Sequence, residues 1–445
     1  MRANFLGFAQ INAALESYWV DNMIWTFEIR RTIFAGVLWM GMTSLVAGNS
    51  ADWLGWRGPY GNGHAVAGQT LPTEFSTSKN VVWSAPVPGR GHSSPIVSGD
   101  RLFLTTARED TGSQSAIAYS TVTGKLLWET VLVENALPEG IHGNNTHASP
   151  TSISDGERVF ALFYTSDKSL RLFALSMDGE VLWKATVGVF ESEYTFGYGS
   201  TPVIVDDTIV VSNDSIGTGY LVAYDTASGK EVWRTSRASE KSSFGTIALG
   251  EVAGRRQLLT SGHGQRVAGF DPETGRELWS VPGGPPVTAS TVVWDDRFVY
   301  ASGGFPGRET WATDVVSGEV AWSDPTKCYE QSMILVDGSL YGVSEGGLLY
   351  CWNAVDGEIR WRERLPKSPE SASLVYAGGY LYHANEEGEV FAIKPSEEGL
   401  EVVGESQLGD EIFASPAVVH NRLYFRVASY DGEERSETLY AIGLE

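Results

Sequence analysis

The chain has 445 residues, 55 of them acidic and 32 basic, for a formal net charge of -23. So negative a balance repels phosphate backbones and anionic headgroups and argues against nucleic acid as a partner. With 42% hydrophobic, 20% charged and 11% aromatic residues, the chain can bury a large core, which excludes wholesale disorder.

The N-terminus reads as an export signal. Residues 1–48 form an N-terminal extension and signal peptide, in which Arg30 and Arg31 precede a charge-free run of 17 residues, Thr32 to Gly48, ending in small side chains. The segment before Met23 carries no basic cluster, so Met23 is the expected start, with cleavage near Gly48 or Ala51. The two arginines also loosely fit a twin-arginine signal. Contact with a membrane is expected only through this segment if it stays uncleaved. No Cys follows the apolar run, so no lipid anchor is indicated. Residues 49–79 form a leader expected to pack on the domain that follows.

From residue 80 a repeat takes over. Trp83, Trp128, Trp183, Trp233, Trp279, Trp322 and Trp361 recur at separations of 45, 55, 50, 46, 43 and 39 residues, the spacing of propeller blades. All but Trp83 have a Gly four residues earlier, at Gly124, Gly179, Gly229, Gly275, Gly318 and Gly357. Units such as Ala223 to Trp233 and Gly269 to Trp279 read as strand, turn and strand, and Ala392 to Val403 is a copy that has lost its Trp. An eighth copy begins at Leu439 and has no fourth strand after it. The strand Asn80 to Ser84, bearing Trp83, is predicted to complete it, because closure protects the sheet edges. The fold class is therefore an all-β, eight-bladed propeller over 80–445, its last blade closed by an N-terminal strand.

A hydroxyl residue opens the first strand of each blade: Ser94, Ser149, Thr201, Thr246, Ser290, Ser332, Ser373 and Ser415. Turn chemistry follows each, as at Gly99-Asp100 and Asp337-Gly338. The pairs Asp206-Asp207 and Asp295-Asp296 occupy the same turn positions and are read as turns rather than metal ligands or catalytic carboxylates. Cys328 and Cys351 make no disulfide framework, and the seven His show no zinc spacing.

The Ala-x-Asp-x-x-x-Gly-x-x-x-Trp units resemble the tryptophan-docking repeats of pyrroloquinoline-quinone (PQQ) type eight-bladed propellers. The resemblance covers about residues 80 to 445, and Trp56-Arg57-Gly58-Pro59-Tyr60-Gly61-Asn62-Gly63 is similar to the leader of exported bacterial, BamB-like members. It implies that the seven tryptophans fasten neighbouring blades. It also implies one of two functions. The non-catalytic relatives include the propeller subunit of the outer-membrane β-barrel assembly machine, which implies an exported, monomeric scaffold in the periplasm or cell envelope with a protein partner and no cofactor. The dehydrogenases imply PQQ and calcium in the central channel, with oxidation of an alcohol or sugar. Their adjacent Cys-Cys pair is missing here, no calcium-loop pattern stands out, and the scaffold reading is preferred.

If the hydroxyls line the axis, residues two positions earlier share their face, because strand side chains alternate. His92, His147, Phe244, Glu330 and Phe413 are thus candidate ligand contacts at the channel mouth. The plainer alternative is a ring of side chains that fills the taper. Two further stretches, Glu134 to His147 and the aromatic-rich Phe190 to Tyr198, are either solvated connections and packed covers or ligand and partner surfaces.

Overall fold

The computed structural model describes residues 52–365 and 369–444. The signal segment, Met23 and the cleavage positions lie outside them. Every regular element among the described residues is a strand, and the strands form eight four-stranded antiparallel sheets. Seven blades are built from consecutive strands, beginning with Ile96–Ser98, Arg101–Arg108, Ser113–Ser120 and Leu126–Val133. The eighth joins Ala417–Val419, Arg422–Asp431 and Glu434–Gly443 to the N-terminal strand Val81–Val87. Its register pairs Trp83 with Ala441 and Ala85 with Leu439, so the predicted closure is present. The innermost strands succeed one another around the ring, with Ile96–Ser98 beside Ala417–Val419.

The turn unit explains the blade's outer half. In blade 3 the Gly229 N–H donates to the Asp225 carbonyl at 2.9 Å with φ +67°, a conformation that favours glycine. A β-bulge beside Ala223 then turns the outer strand so that Trp183, from the blade before, lies over Gly229. A Cβ at Gly229 would stand 2.6 Å from that indole, so only glycine admits the contact. Trp83, Trp128, Trp233 and Trp322 lie in the same way over Gly124, Gly179, Gly275 and Gly357 of the following blade. Trp83, Trp128, Trp183, Trp322 and Trp361 each donate their indole N–H to a carbonyl there, at 2.8–2.9 Å. The indole N–H of Trp233 has no hydrogen-bond partner.

Trp279 departs from the expected crossing. Its blade carries Gly269 where the others have Ala118, Ala223 or Ala312, and the indole settles over that glycine and donates to Gln257 Oε1 of its own blade at 2.7 Å. Gly318, the next blade's turn glycine, has nothing within 4 Å of where a Cβ would be.

The leader lies across the ends of the inner strands. Trp53 pairs with Val97 of blade 1, Ser154 of blade 2 donates to the Leu54 carbonyl, and the His64 ring meets the Leu335 carbonyl of blade 6 at 2.8 Å. Arg57 is buried and donates to the carbonyls of Met333 and Leu374, both at 2.6 Å. Lacking a carboxylate partner, its guanidinium is pulled by burial down to about 9. No helix among the described residues is long and apolar enough to cross a membrane.

Candidate functional site

Hydroxyls at the starts of the inner strands lace the ring together. The backbone N–H of one such residue donates to the hydroxyl of the next blade, in the steps Ser94 to Thr151, Thr151 to Thr201 and Thr201 to Thr246. The same bond joins Thr291 to Ser332, Ser332 to Ser373 and Ser373 to Ser415, at 2.8–3.1 Å over all six steps. Each ring residue stands two positions before its strand, as Thr151 does before Ile153 and Thr291 before Val293. Thr151 and Thr291 therefore occupy the places expected for Ser149 and Ser290. Hydroxyls crowd both segments, and residue type alone does not fix the register.

Within the ring is a cavity of about 370 Å³. His92, Phe244, Glu330 and Phe413 line it, together with Ser149, Gly199, Ala289 and Ser371, each two positions before a ring hydroxyl. His147 is not on its wall. Correcting the register of blade 2 puts Ser149 there, and His147 lies two residues further back, its carbonyl accepting from Gln114 Nε2 at 2.6 Å. Thr288, two positions before Ser290, likewise gives way to Ala289 and is buried against Ser243.

Two loops roof the cavity and the leader floors it. The His142 N–H donates to the Thr195 carbonyl at 2.7 Å and Asn145 Nδ2 donates to the Phe196 carbonyl, which ties the loop 134–147 to the stretch 190–198. His142, Asn145 and Phe196 face the cavity, while Phe190 and Tyr198 are buried beneath. Phe190 and Tyr198 are thus a packed cover, while Phe196 and the tip of the other loop line the cavity. At the opposite ends of the strands, Trp56 of the leader reaches the cavity and donates Nε1 to Thr291 Oγ1 at 2.9 Å. Neither the roof nor the floor follows from the repeat. The signals available were the loop's His and Asn content and the leader's run of Trp56, Arg57 and small residues, both of which lack the periodicity that locates blades.

The walls differ in charge. The His92 ring stacks on Phe413 with centroids 4.1 Å apart, and its Nε2 has no hydrogen-bond partner. Burial, with Arg90, Arg426 and Arg435 adding to it, holds His92 well below its ordinary value, so it is neutral at pH 7. On the other side Glu330 is accessible at the mouth but walled by protein, and the lost water raises its carboxyl. Glu386, half-buried behind it, is raised for the same reason. The Ser371 hydroxyl lies between them, 3.0 Å from Glu330 Oε2 and 2.5 Å from Glu386 Oε1.

These features define a tryptophan-docked, eight-bladed propeller with an axial cavity. The profile of the family described as "Outer membrane protein assembly factor BamB" matches residues 22–213 and 148–363, and the chain belongs to that family. It is 24% identical over 371 residues to the outer membrane protein assembly factor BamB of Burkholderia pseudomallei, covering 73% of this chain and 90% of the relative. It is also 24% identical over 314 residues to that of Shewanella oneidensis, covering 57% of this chain and 77% of the relative. Among solved structures, BamB from Moraxella catarrhalis superposes with a TM-score of 0.59 at 18% identity, over 81% of this chain and 96% of that one. A europium-containing methanol dehydrogenase superposes with a TM-score of 0.65 at 12% identity, over 88% of this chain and 98% of that one. Likenesses at these identities establish the fold alone.

The residues do not fit a quinone cofactor with its metal. Cys328 and Cys351 are buried in separate blade cores, and neither lines the cavity. Burial pushes the Cys328 thiol up to about 12. Among the described residues, no three His, Cys, Asp or Glu side chains converge on a point that could hold a metal ion.

Proposed function

We propose that this protein is an exported, non-catalytic propeller that serves as a scaffold in the cell envelope, on the periplasmic side of the outer membrane, and holds a protein partner there during outer-membrane protein assembly. The observation that carries this reading is the family match over residues 22–363, supported by a relative in Burkholderia pseudomallei that this chain spans over 90% of its length. The architecture supports it too. Eight blades laced by hydroxyls and docked indoles give a rigid ring, which presents its loops without ordering cost at the moment of binding. The thiols are sequestered, and the axial cavity is lined in part by Trp56 of the chain's own leader.

The test is cross-linking of the full chain in its native envelope followed by identification of what is attached. Recovery of outer-membrane assembly components, with loss of outer-membrane β-barrel proteins when the chain is depleted, is the expected result. Dye-linked oxidation of an alcohol or sugar on adding PQQ and calcium, with no such components attached, overturns it.

A further inference from the structure

Five of the six turn glycines lie under an indole from the blade before, as Gly275 lies under Trp233 and Gly357 under Trp322. Gly318 of blade 5 does not. Nothing stands within 4 Å of where its Cβ would be, and of the six glycines it alone is exposed. Trp279, whose place in the repeat would put it there, lies over Gly269 of its own blade and gives its N–H to Gln257. Moving it across to Gly318 would strand the buried Gln257 acceptor, so Trp279 does not compete for that turn.

The blade 5 turn nevertheless keeps what an indole uses elsewhere. Gly318 has φ +73°, against +74° at Gly357, and its N–H donates to the Asp314 carbonyl at 2.9 Å as that of Gly357 does to Asn353. Three residues before the turn glycine, the carbonyls of Thr121, Thr226 and Ala354 each accept an indole N–H. Val315 holds that position in blade 5, and its carbonyl accepts no hydrogen bond among the described residues. Beside it Val316 is 70% and Val320 38% exposed, an apolar rim around an unshielded glycine.

We propose that this turn is a docking seat for a tryptophan side chain presented by a protein partner on a basic segment. The partner is the one that the scaffold reading supplies. Its anchoring residue follows from the repeat, because the same turn in five other blades takes an indole of this chain. The ring would lie on Gly318 between the two valines, and its N–H would go to the Val315 carbonyl, a bond that phenylalanine or leucine cannot make. A buried aromatic anchor of this kind dominates the binding energy of many interfaces. The charge of the partner segment follows from the surroundings. Glu319, next to Gly318, is exposed and makes no ion pair among the described residues, Arg297 nearby is already held by Asp314, and the whole chain carries a net charge of -23.

The experiment is a fluorescence anisotropy titration of the full chain against the fluorescein-labelled peptide Lys-Gly-Trp-Gly-Lys, beside versions with Leu or Ala in place of Trp and a version with Asp in place of both Lys. Saturable binding of the first peptide is expected, weaker in high salt and weaker by roughly tenfold or more for each of the others. Gly318→Ala puts a methyl group where the ring would rest and should weaken binding to a similar degree while the cooperative thermal melt is kept. Val316→Ser should also weaken it. Val355→Ser, at the equivalent turn of blade 6 where Trp322 already covers the glycine, should leave it unchanged. No binding, equal binding of the Leu or Ala peptide, or binding unaltered by Gly318→Ala overturns the inference. Cross-linking to outer-membrane assembly components that Gly318→Ala leaves unchanged overturns the seat and leaves the scaffold function standing, whereas specific peptide binding without such components supports the seat and overturns the assembly function.

Discussion

Trp279 and Gln257 meet inside a single blade, indole nitrogen to amide oxygen at 2.7 Å, where the equivalent Trp322 reaches across to the Ala354 carbonyl of the next blade. Gln257 is 2% exposed, so removing the indole strands a buried acceptor. Trp279→Phe is expected to cost about 1–3 kcal/mol. Trp279→Phe combined with Gln257→Leu should recover part of that loss, because both polar groups go together. Urea unfolding of the two single variants and the double variant measures the coupling. Strictly additive losses would show that the two side chains do not interact.

The turn glycines separate into two kinds by what lies above them. Gly275 has φ +70° and a Cβ there would stand 2.3 Å from Trp233. Gly318 has φ +73° and nothing within 4 Å. Gly318→Ala should therefore cost only the left-handed strain, about 1 kcal/mol. Gly275→Ala adds a clash with a docked indole and should cost roughly 3 kcal/mol or more. Thermal melts of the two variants test the ranking, and equal losses would remove the indole contact as the reason for glycine at these turns.

Ring closure has a second latch beside the N-terminal strand. Arg426 and Glu437 of blade 8 form a buried pair at 2.6 Å, and Arg426 also donates to the Thr105 carbonyl of blade 1 at 2.7 Å. Glu437 keeps Arg435 at 2.6 Å on its other oxygen, so Arg426→Met removes one of its two cationic partners and strands the Thr105 carbonyl, and should cost about 1–3 kcal/mol. The loss should appear as faster hydrogen exchange in Val81–Val87 and Glu434–Gly443, with blades 3 to 5 little changed. Uniform loss of protection around the ring would mean that this seam is no weaker than the others.

The ring was legible because its determinants are local. Gly124 to Trp128 and its copies encode a left-handed turn, a bulge and an outer strand within a dozen residues, and the unpartnered Trp83 strand pointed to the closure. Gly269 in place of alanine was also readable, but its consequence for Trp279 depends on Gln257, 22 residues away on another strand. Four of the five candidate contacts reach the cavity because strand alternation carries over from the ring hydroxyls. His147 does not, since Ser149 and Thr151 are both hydroxyl residues and only the start of the strand at Ile153 chooses between them. The floor and the roof depend on contacts between segments far apart in sequence, such as Trp56 with Thr291, and no short-range pattern announces them.

Acid stability should carry the signature of one turn carboxylate. Asp314 lies in the blade 5 turn, where Arg297 donates to it at 2.6 Å and the Val316 and Ser317 backbone N–H groups also point to it. Foremost through Arg297, these donors hold its carboxyl at about 2 against an ordinary 3.8. A depressed folded value favours the folded state above the unfolded value and loses that advantage as pH falls towards the folded one. The contribution is therefore complete above about pH 5 and fades between about pH 4 and about pH 2. Arg297 is itself 60% exposed, so screening limits the effect to roughly 1 kcal/mol. Asp314→Asn should lower the urea midpoint at neutral pH, and the gap between wild type and variant should close as pH falls through that window. It should also narrow in high salt at neutral pH. A gap that stays constant down to about pH 2 would show that the amide loses packing rather than charge.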